Sequence, residues 1–593
     1  MRIITLHCDY IKFKPLKKAI KNPEELKDTS EKEAKDPLVI LTAVEKGDDD
    51  KTIKELVEAV KKIAGEVKAK TIVLYPYAHL SSNLSDPTTA LEYLVEAEHT
   101  LIKEGFKVLR APFGYYKEFE LKVKGHPLSE LSKEFRPSQS EDVKGEHKVL
   151  QITGKGKTGG EEEVNPAEIQ QLIKKLSKNV MHASRGKNDL KSNVEIGKDL
   201  DIYLVNEVVG QGLPLLTPKG ATIKREIERF AIDEELKRGY LHTSTPIMAK
   251  SDLYKVSGHW QHYRDGMFCI CSGDDTLALR PMTCPFHFIL FKSKNRSYKE
   301  LPLKYAEVAS LFRNEQSGEL RGLTRVRQLT LADAHIICRK DQVERQFTEV
   351  VELLKYAMEK LGIKDIWYRF SKWDPKDKKK YIDNPKMWDE SQKMMKKILD
   401  KLKINYKEAD GEAAFYGPKL DLQYTDVYGK EDTLLTVQID FALPERYDMT
   451  YTDENGENIR PVVIHRSSTG ATERTMAYLL EKTQGALPLW LSPVQVRVLN
   501  FTDRNLKATE KTVEQLKEAL PFIRVEADLR STTINDKIRD SEMQKIPYTI
   551  VIGDKEEENK TLAVRERGNA KPRFGVKIQD FIEDIKDKIE QRK

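Results

Sequence analysis

The 593-residue sequence is short of cysteine, of net charge and of long apolar runs, and each shortage removes a class of protein. Five cysteines (Cys8, Cys269, Cys271, Cys284 and Cys338), an odd number scattered through so long a chain, do not make a disulfide scaffold and point to a reducing, cytoplasmic setting. No stretch approaches the roughly 18 apolar residues of a membrane span, and MRIITLHCDY at the start has strand-like character without an apolar signal core, so no membrane partner is expected. Basic residues exceed acidic ones only by 101 to 95, a balance that permits a nucleic-acid partner without requiring one. What remains is 39% hydrophobic and 33% charged, enough apolar content to fold, and at 68.2 kDa too much chain for one core. Three to five folding units are expected.

The first segment alternates short apolar runs, residues 2–6, 38–44 and 71–75, with helical patterns, which predicts a compact α/β domain. One helix is legible in detail. Thr52 and Glu55 have capping-box spacing, Ile53, Leu56, Val57, Val60 and Ile63 share one helical face, and Gly65 can close the end. From about 136 to 193 the pattern gives way to Pro, Ser, Gly and Lys, a linker with some helix. Its GKGKTGG stretch lacks the first glycine of a phosphate loop and is followed by acidic residues, not by an apolar helix. After Gly485, strand and helix patterns alternate: strands at 494–500, 523–527 and 548–553, helices at 507–520 and 534–544. That order predicts a small, mostly parallel sheet flanked by helices.

The sharpest chemistry lies between 220 and 486. In FRNEQSGELRGLTRVRQ (residues 312–328), Arg313, Arg325 and Arg327 offer planar forks for phosphate or carboxylate, and Glu315 can hold the amino edge of a base or a metal. Any one of these arginines is also an ordinary hairpin residue; the set fits a nucleoside triphosphate. In GATERTMAYLLE (470–481) a glycine precedes a helix with Arg474 in its first turns, a start suited to an anion. Cys284, His335 and His465 are metal-ligand types too far apart for any local finger spacing, so spacing alone does not establish a metal site.

Block after block, residues 213–593 resemble threonyl-tRNA synthetases: RPMTCPFH, FRNEQSGEL, RVRQLTLADAHI, EAAFYGPKLD, TVQIDF, PVVIHR and GATERT occur in that family's order and spacing. TPIM (245–248) is similar to the end of class II motif 1, FRNE to motif 2 and GATER to motif 3. The resemblance implies an antiparallel sheet with helices in place of a Rossmann fold. It also implies a zinc ion on Cys284, His335 and His465 that takes the amine and hydroxyl of L-threonine, with Asp333, Tyr416 and Gln438 lining the pocket. Arg313 would hold the α-phosphate of ATP and Arg474 the γ-phosphate, with Glu315 and Arg325 beside them and Mg2+ spreading the remaining charge. The chain departs from many bacterial members at Leu329 and Leu331, where they have Phe and Gln, at Phe286, where they have Gly, and at Ala471, often Ser. Adenine stacking and one threonine contact do not carry over at the two leucines. A prolyl enzyme shares the motifs and the C-terminal domain but gives no reason for the Cys284, His335 and His465 set.

LHCDYIKF, YPYAHLSSNL (75–84) and APFGYYKEFELKVKGHPLSELS (111–132) resemble the archaeal editing domain of that family, similar in fold to D-aminoacyl-tRNA deacylases. It implies hydrolysis of serine mischarged on tRNA(Thr), with His79, Tyr116, Lys117 and Glu130 in the pocket. By itself a lone His79 reads as a structural histidine and Lys117 as an edge-strand residue. Residues 493–593, with ADLR, IPYTIVIGDKE and LAVRERG, resemble the anticodon-binding domain shared by the threonyl, prolyl, glycyl and histidyl enzymes, where Glu556 and Arg565 would contact anticodon bases. The resulting layout is multidomain: an α/β editing domain at 1–140, a linker at 141–200, a class II catalytic domain at 201–490 and an α/β anticodon-binding domain at 491–593. A homodimer follows from the class II resemblance.

Overall fold

The computed structural model describes residues 1–20, 23–26, 28–81, 84–125, 129–135, 150–152, 173–176, 178–181, 189–272, 275–378, 380–569 and 571–593. The chain forms two compact units, Met1–Glu146 and His147–Lys593. The GKGKTGG stretch and most of the expected linker lie outside the described residues.

In the first unit a long strand, β1 (Arg2–Lys18), is the hub of a seven-stranded sheet. It pairs antiparallel with β2 (Lys32–Lys35), β3 (Pro37–Ala43), β6 (Tyr115–Val123) and β7 (Glu130–Glu134). From β3 the chain runs through α1 (Asp50–Val67) to β4 (Thr71–Pro76), then through α2 (Pro87–Lys103) to β5 (Lys107–Arg110), and β3, β4 and β5 are parallel. Helical crossovers return the chain to the same sheet edge, which is why these strands run parallel.

The expected face of α1 is buried: Ile53, Leu56, Val57, Val60 and Ile63. Its ends differ from expectation. Asp49 is the N-cap, its side chain accepting from the Thr52 amide at 2.9 Å, so Thr52 closes the capping box from the third helical position. An aspartate at the cap also places negative charge against the helix N-terminus, where the dipole favours it. At the other end Gly65 stays inside the helix, and Lys68 in a left-handed conformation closes it.

The second unit is built on an eight-stranded sheet. Its strands are β8 (Leu241–His242), β9 (Leu303–Phe312), β10 (Gln328–Cys338), β11 (Trp367–Ser371), β12 (Tyr406–Ala409), β13 (Lys419–Thr425), β14 (Glu431–Asp440) and β15 (Val462–Ala471). They lie in the order β8-β9-β10-β15-β14-β13-β11-β12, with antiparallel pairing throughout except at the two outer pairs. This is the antiparallel sheet with helices that the resemblance implied in place of a Rossmann fold. Helices α3 (Pro218–Lys237) and α4 (Val343–Leu361) pack against it, and the main core joins Ile223, Ile227 and Phe230 of α3 to Ile336, Val437 and Ile464 of the central strands.

A second sheet follows: β16 (Val496–Asn500), β17 (Val525–Asp528), β18 (Tyr548–Ile552), β19 (Thr561–Glu566) and β20 (Arg573–Lys577), in the order β17-β16-β18-β19-β20. The first three are parallel, as their helical crossovers require, but β19 and β20 are antiparallel. Only the short helix Asp554–Asn559 separates β18 from β19, too little chain for a crossover, so the strand turns back on its neighbour. The sheet has its own core around Val496, Val498, Ile550 and Phe581. It is fastened to the part built on the eight-stranded sheet by Arg524, which donates to the Trp490 carbonyl at 2.7 Å, and by Arg567, which donates to the Leu487 carbonyl at 2.6 Å. Among the described residues no helix is long and apolar enough to cross a membrane.

Candidate active site

Sheet register assembles the central site. His335 on β10 lies directly opposite His465 on β15, and Gln438 on β14 lies opposite His465 from the other side. One rung away on the same face, Asp333 faces Ser467. Cys284 opens the helix Cys284–Lys292, and its ligand atom and those of the two histidines all lie within 4.8 Å of one another, every one of the three residues buried.

The two imidazoles are held from behind. His465 Nε2 is 2.8 Å from Asp440 Oδ2, whose other oxygen accepts from the Ala442 and Leu443 amides at 2.9 Å. His335 Nδ1 is 2.7 Å from His287 Nδ1. Tyr416 stacks on the His465 ring at 4.8 Å and hydrogen-bonds Gln438 Oε1 through its hydroxyl.

Burial, with Asp333 and Asp440 nearby, pushes the Cys284 thiol well up, and burial followed by the neighbouring His465, His287 and Arg466 pushes His335 well down. Burial also raises Asp333 and Tyr416. The pocket thus gathers one sulfur and two nitrogen donors, and for Cys284 and His335 burial favours the neutral form until a cation compensates the desolvation. One thiolate and two imidazoles with an open side match a zinc site that keeps a position for substrate, and partners behind each histidine are the usual second support of such a site.

The same cavity, about 830 Å³, is lined by Cys284, Asp333, His335, Tyr416, Gln438 and His465, and also by Arg313, Glu315, Arg325 and Arg474. Arg313 follows β9 at the start of the hairpin that returns as β10, its amide donating to the Arg327 carbonyl at 2.8 Å. Glu315 grips Arg325 at 2.7 and 2.9 Å. Arg474, third residue of the helix Thr472–Thr483, donates to the Thr433 carbonyl at 2.7 Å and the Thr324 carbonyl at 3.1 Å. Gly470, at φ +74°, lets the strand turn into that helix; a Cβ there would meet the Leu434 carbonyl oxygen at 2.5 Å. Leu329 and Leu331 also line the cavity and give it an aliphatic wall.

Several contributors were not singled out in the sequence. His287 and Asp440 sit inside the RPMTCPFH and TVQIDF blocks, where proximity to Cys284 and Gln438 was the available signal. Glu473, beside Arg474, lines the cavity and accepts from the Thr330 amide at 2.7 Å, and Lys224 from α3 pairs with it at 3.2 Å. Nothing local marks Lys224.

Three independent family descriptions match the chain: the archaea-specific editing domain of threonyl-tRNA synthetase over residues 1–135, the class II core domain of the G, H, P, S and T synthetases over 268–483, and an anticodon-binding domain over 495–588. The RNA binding domain of threonyl-tRNA synthetase from Cryptosporidium parvum is 32% identical with a TM-score of 0.63, and the match covers 67% of this chain and 98% of that one. The chain belongs to the threonyl-tRNA synthetase family. A threonine–tRNA ligase of Clostridium botulinum is 52% identical over 399 residues, 67% of this chain and 62% of that protein. The chain therefore spans somewhat less than two thirds of the length of such curated relatives. A prolyl-tRNA synthetase from Cryptosporidium parvum, 14% identical with a TM-score of 0.53 over 70% of this chain and 78% of its own, shares the fold.

The family's other candidate positions fall in two further places. In the first unit, Lys117 on β6 donates to the Pro112 and Tyr115 carbonyls at 2.8 and 3.1 Å and lies 5.1 Å from the Tyr75 ring centre. Burial lowers its pKa to about 8. Tyr116 is the adjacent strand residue, 55% exposed, with the Lys17 ammonium over its ring at 5.4 Å. Neighbours on a strand face opposite ways, so the sheet sends these two side chains apart. His79 lies in the short turn Ala78–Leu80 and Glu130 begins β7; their side chains lie outside the described residues.

In the second unit, Glu556 and Arg565 line one cleft of about 670 Å³ together with Phe501 and Phe574. Glu556 caps its own helix, accepting from the Gly553 amide at 3.1 Å, and the Arg565 guanidinium is 3.8 Å from Glu542.

Proposed function

We propose that the chain attaches L-threonine to tRNA(Thr) through a threonyl-adenylate made from ATP, and that its first unit hydrolyses the ester when serine has been attached instead. The observation that carries the reading is the shared cavity, where the Cys284, His335 and His465 donors face the same space as Arg313 and Arg474. Zinc on that trio would supply a Lewis-acid position for an amine and a β-hydroxyl together, which valine, shaped like threonine but lacking the hydroxyl, cannot fill.

Asp333, Tyr416 and Gln438 orient the amino acid from the surrounding strands. Arg313 holds the α-phosphate while a threonine carboxylate oxygen attacks its phosphorus and pyrophosphate leaves. Arg474, fixed by two backbone carbonyls, takes the γ-phosphate, and Mg2+ bound with ATP would supply further charge neutralisation there. Glu315 and Arg325 brace one another at the nucleotide end, and Leu329 and Leu331 offer the base an aliphatic surface in place of a ring.

Serine keeps both metal-binding groups and lacks one methyl, a difference of roughly 1–3 kcal/mol, so a second hydrolytic site is physically warranted. Lys117, with His79 and Glu130, is assigned to it, positioning the ester or its water; Tyr116, expected in the same pocket, is not, because β6 turns it to the opposite face. Glu556 and Arg565 are assigned to the edges of anticodon bases, and the working unit is assigned as a homodimer on class II resemblance.

The test is ATP–pyrophosphate exchange with threonine, serine and valine on metal-replete protein. The reading expects exchange with threonine, weaker exchange with serine and none with valine. No exchange with any of them would refute it and leave an editing or tRNA-binding relative.

A further inference from the structure

We propose that His287 is the positioning residue that makes His335 a zinc ligand through Nε2. The inference rests on the metal reading of the Cys284, His335 and His465 trio and goes beyond it to the proton arrangement behind the trio.

His287 and His335 are both fully buried and their Nδ1 atoms are 2.7 Å apart, close enough that one proton lies between them. If His287 supplies that proton, neutral His335 carries its own on Nε2 and has no lone pair left for a metal. If His335 supplies it, Nε2 is free to ligate. The choice is made at the far side of His287. Its Nε2 is 2.9 Å from Thr243 Oγ1 and 3.8 Å from the Glu307 carboxylate.

Glu307 is itself a fixed acceptor. It lies on β9 directly opposite Asp333, accepts from the Thr245 hydroxyl at 2.8 Å and pairs with buried Arg280 at 2.8 Å. Arg280 in turn donates to the Ser310 carbonyl at 2.9 Å. Burial would raise the Glu307 carboxyl, but the nearby His287, the hydrogen bond from Thr245 and the Arg280 charge outweigh it and hold the pKa at about 2. The Thr243 hydroxyl also faces two acceptors, the Ala306 carbonyl at 3.3 Å and the Glu307 carboxylate at 3.4 Å, so its own hydrogen is taken and it accepts the His287 proton on Nε2, which leaves His287 Nδ1 as the acceptor for His335. Arg280, Glu307, Thr243, His287 and His335 thus form one polarised line ending at the metal position. His465 is set in the complementary way: Asp440 occupies its Nε2 and leaves Nδ1 for the metal.

The experiment measures zinc affinity of the full chain by competition with a chromophoric chelator, for the unmodified protein, H287A and H287N. Asparagine can place its Oδ1 where the imidazole Nδ1 accepts. The expected result is zinc affinity weaker by about 10- to 100-fold in H287A and restored to within roughly threefold in H287N. Cobalt substitution gives a second readout, with the ligand-field bands shifted in H287A and unshifted in H287N. Unchanged zinc affinity in H287A overturns the assignment. Where H287A loses its far-ultraviolet dichroism, Glu307→Gln decides instead: zinc weaker by roughly threefold or more supports the line of bonds, and an unchanged affinity overturns it. An unmodified chain that binds no zinc would overturn the metal reading and this inference together, a result seen before any variant is made.

Discussion

The central cavity and the first unit's candidate pocket place their polar groups by different means. In the cavity, residues remote in sequence meet because β10, β15 and β14 are in register, so His335, His465 and Gln438 stand in one row. In the first unit, two of the four candidates are neighbours on β6, and the strand directs Tyr116 and Lys117 to opposite faces. The cavity's donors are wholly desolvated and braced from behind, whereas Lys117 is only partly buried and rests on two backbone carbonyls. A buried set braced from behind suits a metal; a half-open lysine suits a site where water takes part.

The sharpest way to break this contrast is Cys284→Ser. It removes the one sulfur donor, and threonine-dependent pyrophosphate exchange is expected to fall by about 1,000-fold or more together with bound zinc. Exchange within tenfold of the unmodified chain would mean that the trio is structural. Next comes Arg313→Ala, which removes a charged donor from the reacting phosphate and should lower exchange by about 100- to 1,000-fold while zinc content stays at one per chain.

For the first unit, Lys117→Met is expected to lower seryl-tRNA(Thr) hydrolysis by about 100-fold with threonine activation untouched. Lysine 117 also predicts a pH signature. Its folded pKa of about 8 lies below the ordinary 10.5, so between those values the unfolded chain binds more protons than the folded one. Stability should therefore rise with pH across that window and the penalty be fully present below pH 8. Chemical denaturation from pH 7 to 10.5 should show that slope in the unmodified chain and a flatter one in Lys117→Met. The smallest effect is expected at the open C-terminal cleft: Arg565→Ala should raise the KM for tRNA(Thr) by about tenfold and leave pyrophosphate exchange unchanged. A matching loss of exchange would show that the cleft is not a separate RNA-reading surface.

Much of the fold is legible in the sequence because its elements are set by local periodicity. The buried face of α1 follows from spacing alone, as do the three parallel strands of the last sheet, whose helical crossovers leave no other arrangement. The cap of α1 was less legible because Asp49 and Thr52 both have capping side chains, and only the backbone turn selects between them. The antiparallel return of β19 was missed because a six-residue helix, Asp554–Asn559, reads like any other helical interruption.

The sequence by itself determined the inventory: which segments are helix or strand, which apolar faces need covering, and which motifs mark the family. These depend on neighbours along the chain, at spacings of two to four residues. Tertiary structure decided which side chains meet. Cys284, His335 and His465 have no common spacing, and His287, Glu307 and Asp440 acquire their roles from the elements behind them. Strand register and helix placement alone bring such groups within hydrogen-bond or ligand distance.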